Sequence, residues 1–156
     1  LASIDLTRDG LDELVVGSEN SSVVRVFEAT GCGTFRLRQE VQSTGEGLLG
    51  LAFVDADGAG FLDLVTVARG PLPAVGGAAA PRTGRLNTFI TKRDAQNRGE
   101  LARNPSGFDL PAGSRSIAIG NFNGDQGGAA SDLAIANEYA DSISIVYRNP
   151  SANGFL

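Results

Sequence analysis

A short acidic loop that recurs along this chain constrains its fold more than any other feature. The first copy runs Asp5-Leu6-Thr7-Arg8-Asp9-Gly10-Leu11-Asp12-Glu13 and opens into the apolar run Leu14-Val15-Val16. The second runs Asp55-Ala56-Asp57-Gly58-Ala59-Gly60-Phe61-Leu62-Asp63 into Leu64-Val65. The third begins Asn121-Phe122-Asn123-Gly124-Asp125 and reaches Asp132-Leu133-Ala134-Ile135 after extra residues. Oxygen-bearing side chains at alternate positions, a glycine bend and a further carboxylate suit a hard cation such as calcium, which takes several oxygens at flexible geometry. A loop repeated every few dozen residues also marks a repeat architecture, in which each unit is one small supersecondary element.

The repeat extends beyond the loops. Ser22-Val23-Val24-Arg25-Val26-Phe27-Glu28 lies over Ser142-Ile143-Ser144-Ile145-Val146-Tyr147-Arg148, and the match continues without a gap to Gly33-Thr34-Phe35 over Asn153-Gly154-Phe155. Each unit reads as short strands joined by turns. The leading strands are Leu48 to Val54 and Ser116 to Gly120. The strands leaving the loops are Leu14 to Gly17, Leu64 to Ala68 and Leu133 to Ala136. A third set follows at Val23 to Phe27, Leu86 to Thr91 and Ile143 to Tyr147. A fourth strand is clear at Phe35 to Val41 and vague between Leu101 and Leu110. No segment carries a long helical stripe. We therefore expect one all-β unit over 1–156, with repeats near 1–43, 44–112 and 113–156. Residues 69–85, rich in Gly, Pro and Ala, read as an inserted surface loop.

The expected metal ligands follow from the spacing. In the first loop they are Asp5, Thr7, Asp9, the Leu11 carbonyl and Glu13, which makes it the best-furnished site. In the second they are Asp55, Asp57, the Phe61 carbonyl and Asp63, with Ala59 offering no ligand at the fifth position. In the third they are Asn121, Asn123, Asp125 and Asp132, in a lengthened loop. Weaker binding is expected at the second and third. Asp, Asn and Gly also make turns without any metal, but three copies before the same kind of strand argue for more than turn chemistry. An EF-hand is excluded, because it needs flanking helices and a bidentate Glu where the first two loops place Val16 and Thr66.

Composition narrows the chemistry. The chain has 156 residues, a net charge of −5 and no His, Met or Trp. Without His there is no Ser-His-Asp or Cys-His dyad and no His-based acid–base catalysis. The acidic balance disfavours nucleic acid, which needs a basic footprint. No apolar run approaches the roughly 20 residues of a spanning helix. The missing Met leads us to expect a processed product or a piece of a longer chain. The single Cys32 has no intrachain disulfide partner and falls in a Gly-rich turn. Asn20-Ser21-Ser22 is a glycosylation sequon on an expected turn.

At these residues the chain resembles FG-GAP/VCBS-type repeats, the calcium-loop blades of integrin α-subunit-like β-propellers. The loop from Asp5 to Val16 and the later Gly33-Thr34-Phe35 carry the likeness, as do the Asn121 loop and Asn153-Gly154-Phe155. Glu13 in place of Asp, Ala59 in place of an acidic ligand, and the long third loop depart from the pattern. The resemblance implies a β-propeller of four-stranded antiparallel blades, about three of them in this chain, with Ca2+ in the loops. It also implies an extracellular or cell-surface adhesion or recognition role towards a protein or carbohydrate ligand. The alternative is a structural part of a secreted or surface assembly in which the loops act only as clips. About three blades leave sheet edges and faces open, so further blades of the same chain or of other copies are expected partners. Paired carboxylates could serve a glycosidase, with Glu46 as one residue outside the loops; because most clustered carboxylates belong to the loops, no catalytic role is expected.

Overall fold

A computed structural model describes residues 1–71, 83–103, 107–124, 131–149 and 154–155. Among these the chain is built from β-strands and one single-turn 3-10 helix, Glu138–Ala140. The first sheet has the order β1 (Ala2–Ile4), β2 (Glu13–Val16), β3 (Val23–Gly31), β4 (Thr34–Gln42), antiparallel throughout. The acidic loop from Asp5 is the β1–β2 connection. Valines and Phe27 on β2 and β3 suit a pleated, half-buried surface. Gly31, Cys32 and Gly33 all take positive φ and close the β3–β4 hairpin. Both strands of this hairpin run further than the apolar residues alone suggest, because the turn geometry carries the ladder out to Gly31 and Thr34.

The second sheet repeats the order with β5 (Leu48–Val54), β6 (Asp63–Ala68), β7 (Gly84–Arg93) and β8 (Gly99–Arg103). The indistinct fourth strand is resolved as two pieces. β8 pairs with the far half of β7 and β9 (Phe108–Leu110) with its near half, Leu86 opposite Phe108. Of the expected inserted loop, residues 72–82 lie outside the described residues, and Gly84 and Arg85 already belong to β7.

The third unit begins with β10 (Ser114–Gly120), β11 (Asp132–Asn137) and β12 (Ser142–Val146), again in antiparallel order. A short pair, β13 (Arg148–Asn149) with β14 (Gly154–Phe155), follows directly. It supplies the opening of the fourth strand that the sequence pattern left out.

The second sheet is buried on both faces. Leu64 and Phe89 join Val15, Val24, Val26 and Leu48 in one core with the first sheet. Val65, Val67 and Leu86 join Leu133, Ile135 and Val146 in another with the third. Successive residues of β6 therefore point to opposite cores, as the two-residue period of a strand requires, and all six are buried. Fully burying one such Leu or Val side chain contributes roughly 1.5–3 kcal/mol. Polar bonds also join the first two sheets: the Gln39 amide donates to the Leu101 carbonyl at 2.7 Å and accepts from the Leu101 N–H at 3.0 Å. The three acidic loops thus occupy equivalent places, each between the leading strand of its unit and the next.

Candidate metal centre

The last acidic residue of each loop is also the first residue of the strand that follows, and it is fully buried: Glu13, Asp63 and Asp132. Each turns its carboxylate back to the start of its own loop. The Glu13 Oε2 accepts from the Leu6 and Thr7 N–H groups at 2.7 and 3.1 Å, while the Thr7 hydroxyl donates to Oε1 at 3.3 Å. Asp63 Oδ2 accepts from the Ala56 N–H at 3.0 Å, and Asp132 Oδ2 from the Phe122 N–H at 2.8 Å. The second oxygen of each aspartate accepts from a later strand, the Thr91 N–H of β7 at 2.7 Å for Asp63 and the Arg148 N–H of β13 at 3.0 Å for Asp132. One aspartate carboxylate thereby fastens the loop, the strand that it opens and a later strand together.

The first acidic or amide residue of each loop shapes the bend. Asp5 accepts from the Asp9 and Gly10 N–H groups at 3.2 and 3.1 Å. Asp55 accepts from Gly58 and Gly60 at 2.7 and 3.0 Å, and Asn121 from Gly124 at 2.7 Å. Asp9 and Asp57 each accept an N–H two residues on, from Leu11 and Ala59, both at 2.9 Å. These local side-chain-to-backbone bonds are what favours Asp and Asn in turns. The fourth position of every loop has positive φ: Arg8 at 58°, Gly58 at 80° and Gly124 at 72°. The sequence marks this bend with glycine in two loops and hides it under an arginine in the first.

Among the described residues, one group of three carboxylates converges: Asp55, Asp57 and Asp63 each bring an oxygen within 4.8 Å of the others. Donor counting places the first loop ahead, whereas the geometry groups the carboxylates of the second. The carboxylates of the first loop form no such group; the Thr7 hydroxyl turns to Glu13, and Leu11 is exposed. In the third loop Asn121 and Asn123 are exposed, Asp132 is buried, and Asp125 lies outside the described residues.

Burial pushes Asp63 up from 3.8 to about 6; the Thr91 N–H opposes the shift and the nearby Asp57 charge adds to it. Burial likewise raises Glu13, against the N–H bonds from Leu6 and Thr7. The donor set fits calcium: all oxygens, three carboxylates, and lone pairs left after the backbone bonds, since an ionised carboxylate has about four acceptor sites. Asp55, Asp57 and Asp63 are the residues that would hold the ion, and the ion would supply the charge that offsets their mutual repulsion.

Three arginines that the spacing of the acidic residues did not reveal frame the loops. Arg93, at the end of β7, donates to the Leu6 carbonyl of the first loop at 3.0 Å. Arg8 and Arg93 both lie against the Phe61 ring, 5.2 and 4.6 Å from its centroid. Arg148 of the third unit lies close against Gly58 of the second loop. Phe61, expected to contribute its carbonyl, has its ring at the junction of the first two loops.

Fold and site together define an all-β repeat protein whose leading hairpins are closed by buried carboxylates in acidic loops. The family model described as FG-GAP-like repeat matches residues 5–66, spanning the first unit and the second loop. Over those residues the chain is similar to FG-GAP-like repeats. No curated protein matches the sequence.

Proposed function

We propose that this chain is a calcium-binding, β-propeller-like recognition module of the extracellular space or cell surface, without catalytic activity of its own. The observation that carries the reading is the convergence of Asp55, Asp57 and Asp63 in a loop within the FG-GAP-like match. A buried cluster of like charges is costly unless a cation joins it. The ligand is a protein or a glycan, and further blades, from the same chain or other copies, cover the sheet faces left open. The test is calorimetric titration with calcium and thermal melting with and without EDTA. Calcium should raise the melting temperature and release heat on binding, and Asp57→Asn should abolish both effects. No heat, and no difference between the two melts, would overturn the metal half of the proposal.

One observation favours a second reading, in which the loops are fold clips in a structural assembly. Glu13, Asp63 and Asp132 all accept backbone N–H bonds that close the hairpins without any ion. Under that reading calcium leaves the melt unchanged, ligand screens are blank, and the protein copurifies in a stoichiometric assembly.

A further inference from the structure

Between the first and second acidic loops lies a cleft of about 260 Å³ lined by Ile4, Asp5, Arg8, Phe61, Leu62 and Arg93, among others. Its chemistry differs from that of the carboxylate cluster. Two guanidinium groups share one aromatic ring, and among the described residues neither forms an ion pair. Arg25, Arg36, Arg69, Arg85, Arg98 and Arg115 each have a carboxylate partner, whereas Arg8 and Arg93, like Arg38, Lys92 and Arg148, have none among the described residues. The buried Arg93 Nε has no hydrogen-bond partner, and a buried donor left unmade is costly. Burial, then the Arg8 charge, pulls the Arg93 guanidinium below its usual value, against the opposing charges of Asp5 and Asp94.

The backbone makes Arg8 harder to account for as filler. Its φ of 58° lies where its counterparts in the other loops are Gly58 and Gly124. A residue with a Cβ is disfavoured there by roughly 1 kcal/mol, yet this loop holds an arginine, with its charge against Phe61 of the neighbouring loop.

We propose that the Arg8–Phe61–Arg93 cleft binds the carboxylate of an Asp or Glu side chain on a partner protein. Guanidinium N–H groups are the donors that match a carboxylate, here those of Arg8 together with those of Arg93 beyond the Nη1 that donates to the Leu6 and Asn97 carbonyls, and aromatic residues and Arg are enriched at protein interfaces. The surroundings select a peptide over a sugar: Leu62, about half exposed, and Ile4 give the cleft apolar walls, which suit the aliphatic stem and neighbours of an acidic side chain rather than a ring covered in hydroxyls. This inference rests on the recognition reading above and names the partner's chemistry.

The test is chemical-shift titration of the 156-residue chain with a blocked tripeptide carrying glutamate between two leucines. The same peptide with glutamine and sodium glucuronate are the controls. The glutamate peptide should shift the Arg8, Phe61 and Arg93 resonances at concentrations up to ~10 mM, and the glutamine peptide and glucuronate should not. Arg8→Gly should weaken peptide binding at least ~10-fold, the loss expected for one charge-assisted bond, with the melting temperature unchanged or raised because glycine relaxes the positive φ. Arg8→Lys should retain part of the affinity. No shift, glucuronate binding as well as the peptide, or full affinity in Arg8→Gly overturns the proposal. Melting with and without calcium on the same samples separates the two readings: a calcium effect without peptide binding rejects this inference alone, and peptide binding without a calcium effect rejects the metal site alone.

Discussion

Asp63 shows how one side chain carries both folding and chemistry. Its two oxygens accept from Ala56 and Thr91, residues on either side of the second strand, while Asp57 and Asp55 crowd the same space. Asp63→Asn keeps one acceptor and places an amide N–H₂ where an N–H donor already sits. It should cost about 1–3 kcal/mol in denaturant melts in EDTA, and more in calcium, because Asp63 is also one of the residues that would hold the ion. Asp57→Asn touches only an exposed turn bond, to Ala59, and should cost under about 1 kcal/mol in EDTA, its effect appearing when calcium is added. The raised pKa adds a pH dependence to the metal-free protein. Folded Asp63 titrates near 6 against an ordinary 3.8, so the folded state binds the proton more tightly than the unfolded one. Its contribution is fully present below the unfolded value and is lost as pH rises through about 6. In EDTA, melts between pH 4 and pH 7 should show this group favouring the acid end, and Asp63→Asn should remove that slope.

At the scale of the loop, backbone conformation decides which positions tolerate change. Gly58 and Gly10 both have positive φ, at 80° and 86°, but a Cβ at Gly10 meets nothing within 4 Å, whereas one at Gly58 collides with the Arg148 guanidinium. Gly10→Ala should therefore cost only the roughly 1 kcal/mol of a left-handed residue. Gly58→Ala should cost more, because Arg148 must also move; paired urea melts would rank them. This contrast bears on how much of the molecule was legible in sequence. The hairpins, their order and the acidic loops follow from local spacing, because strand period and turn chemistry act over a few residues. Which carboxylates converge does not. Donor counting favours the first loop, yet Glu13 is one methylene longer than Asp63 and meets the Leu6 and Thr7 N–H groups and the Thr7 hydroxyl. Arg93 reaching Leu6, and Arg148 reaching Gly58, depend on contacts between units, which no spacing within one unit encodes.

For the whole molecule, the stacking of the sheets makes the same strand position buried in one unit and bare in another. Counting from Asp63 and Asp132, Val65 and Val67 correspond to Ala134 and Ala136, and the ladder places Leu86 opposite Val67 as it places Ile143 opposite Ala136. In the second sheet this face lies in the core shared with the third, with Leu86 fully buried. On the third sheet the corresponding face is open, with Ile143 71% and Ile145 41% exposed. We expect isoleucine at a position that makes a sheet-to-sheet contact in the second sheet to act as an association surface in the third. The 156-residue chain should therefore self-associate as its concentration rises. Ile143→Ser with Ile145→Ser should reduce that association in sedimentation velocity while changing stability by less than about 1 kcal/mol, since neither side chain has a core to leave. Leu64→Ala, in the core between the first two sheets, should instead cost about 2–5 kcal/mol. A wild-type chain that stays monomeric at ~100 μM, where contacts of only micromolar strength would already register, would mean that the open isoleucines are tolerated as ordinary surface.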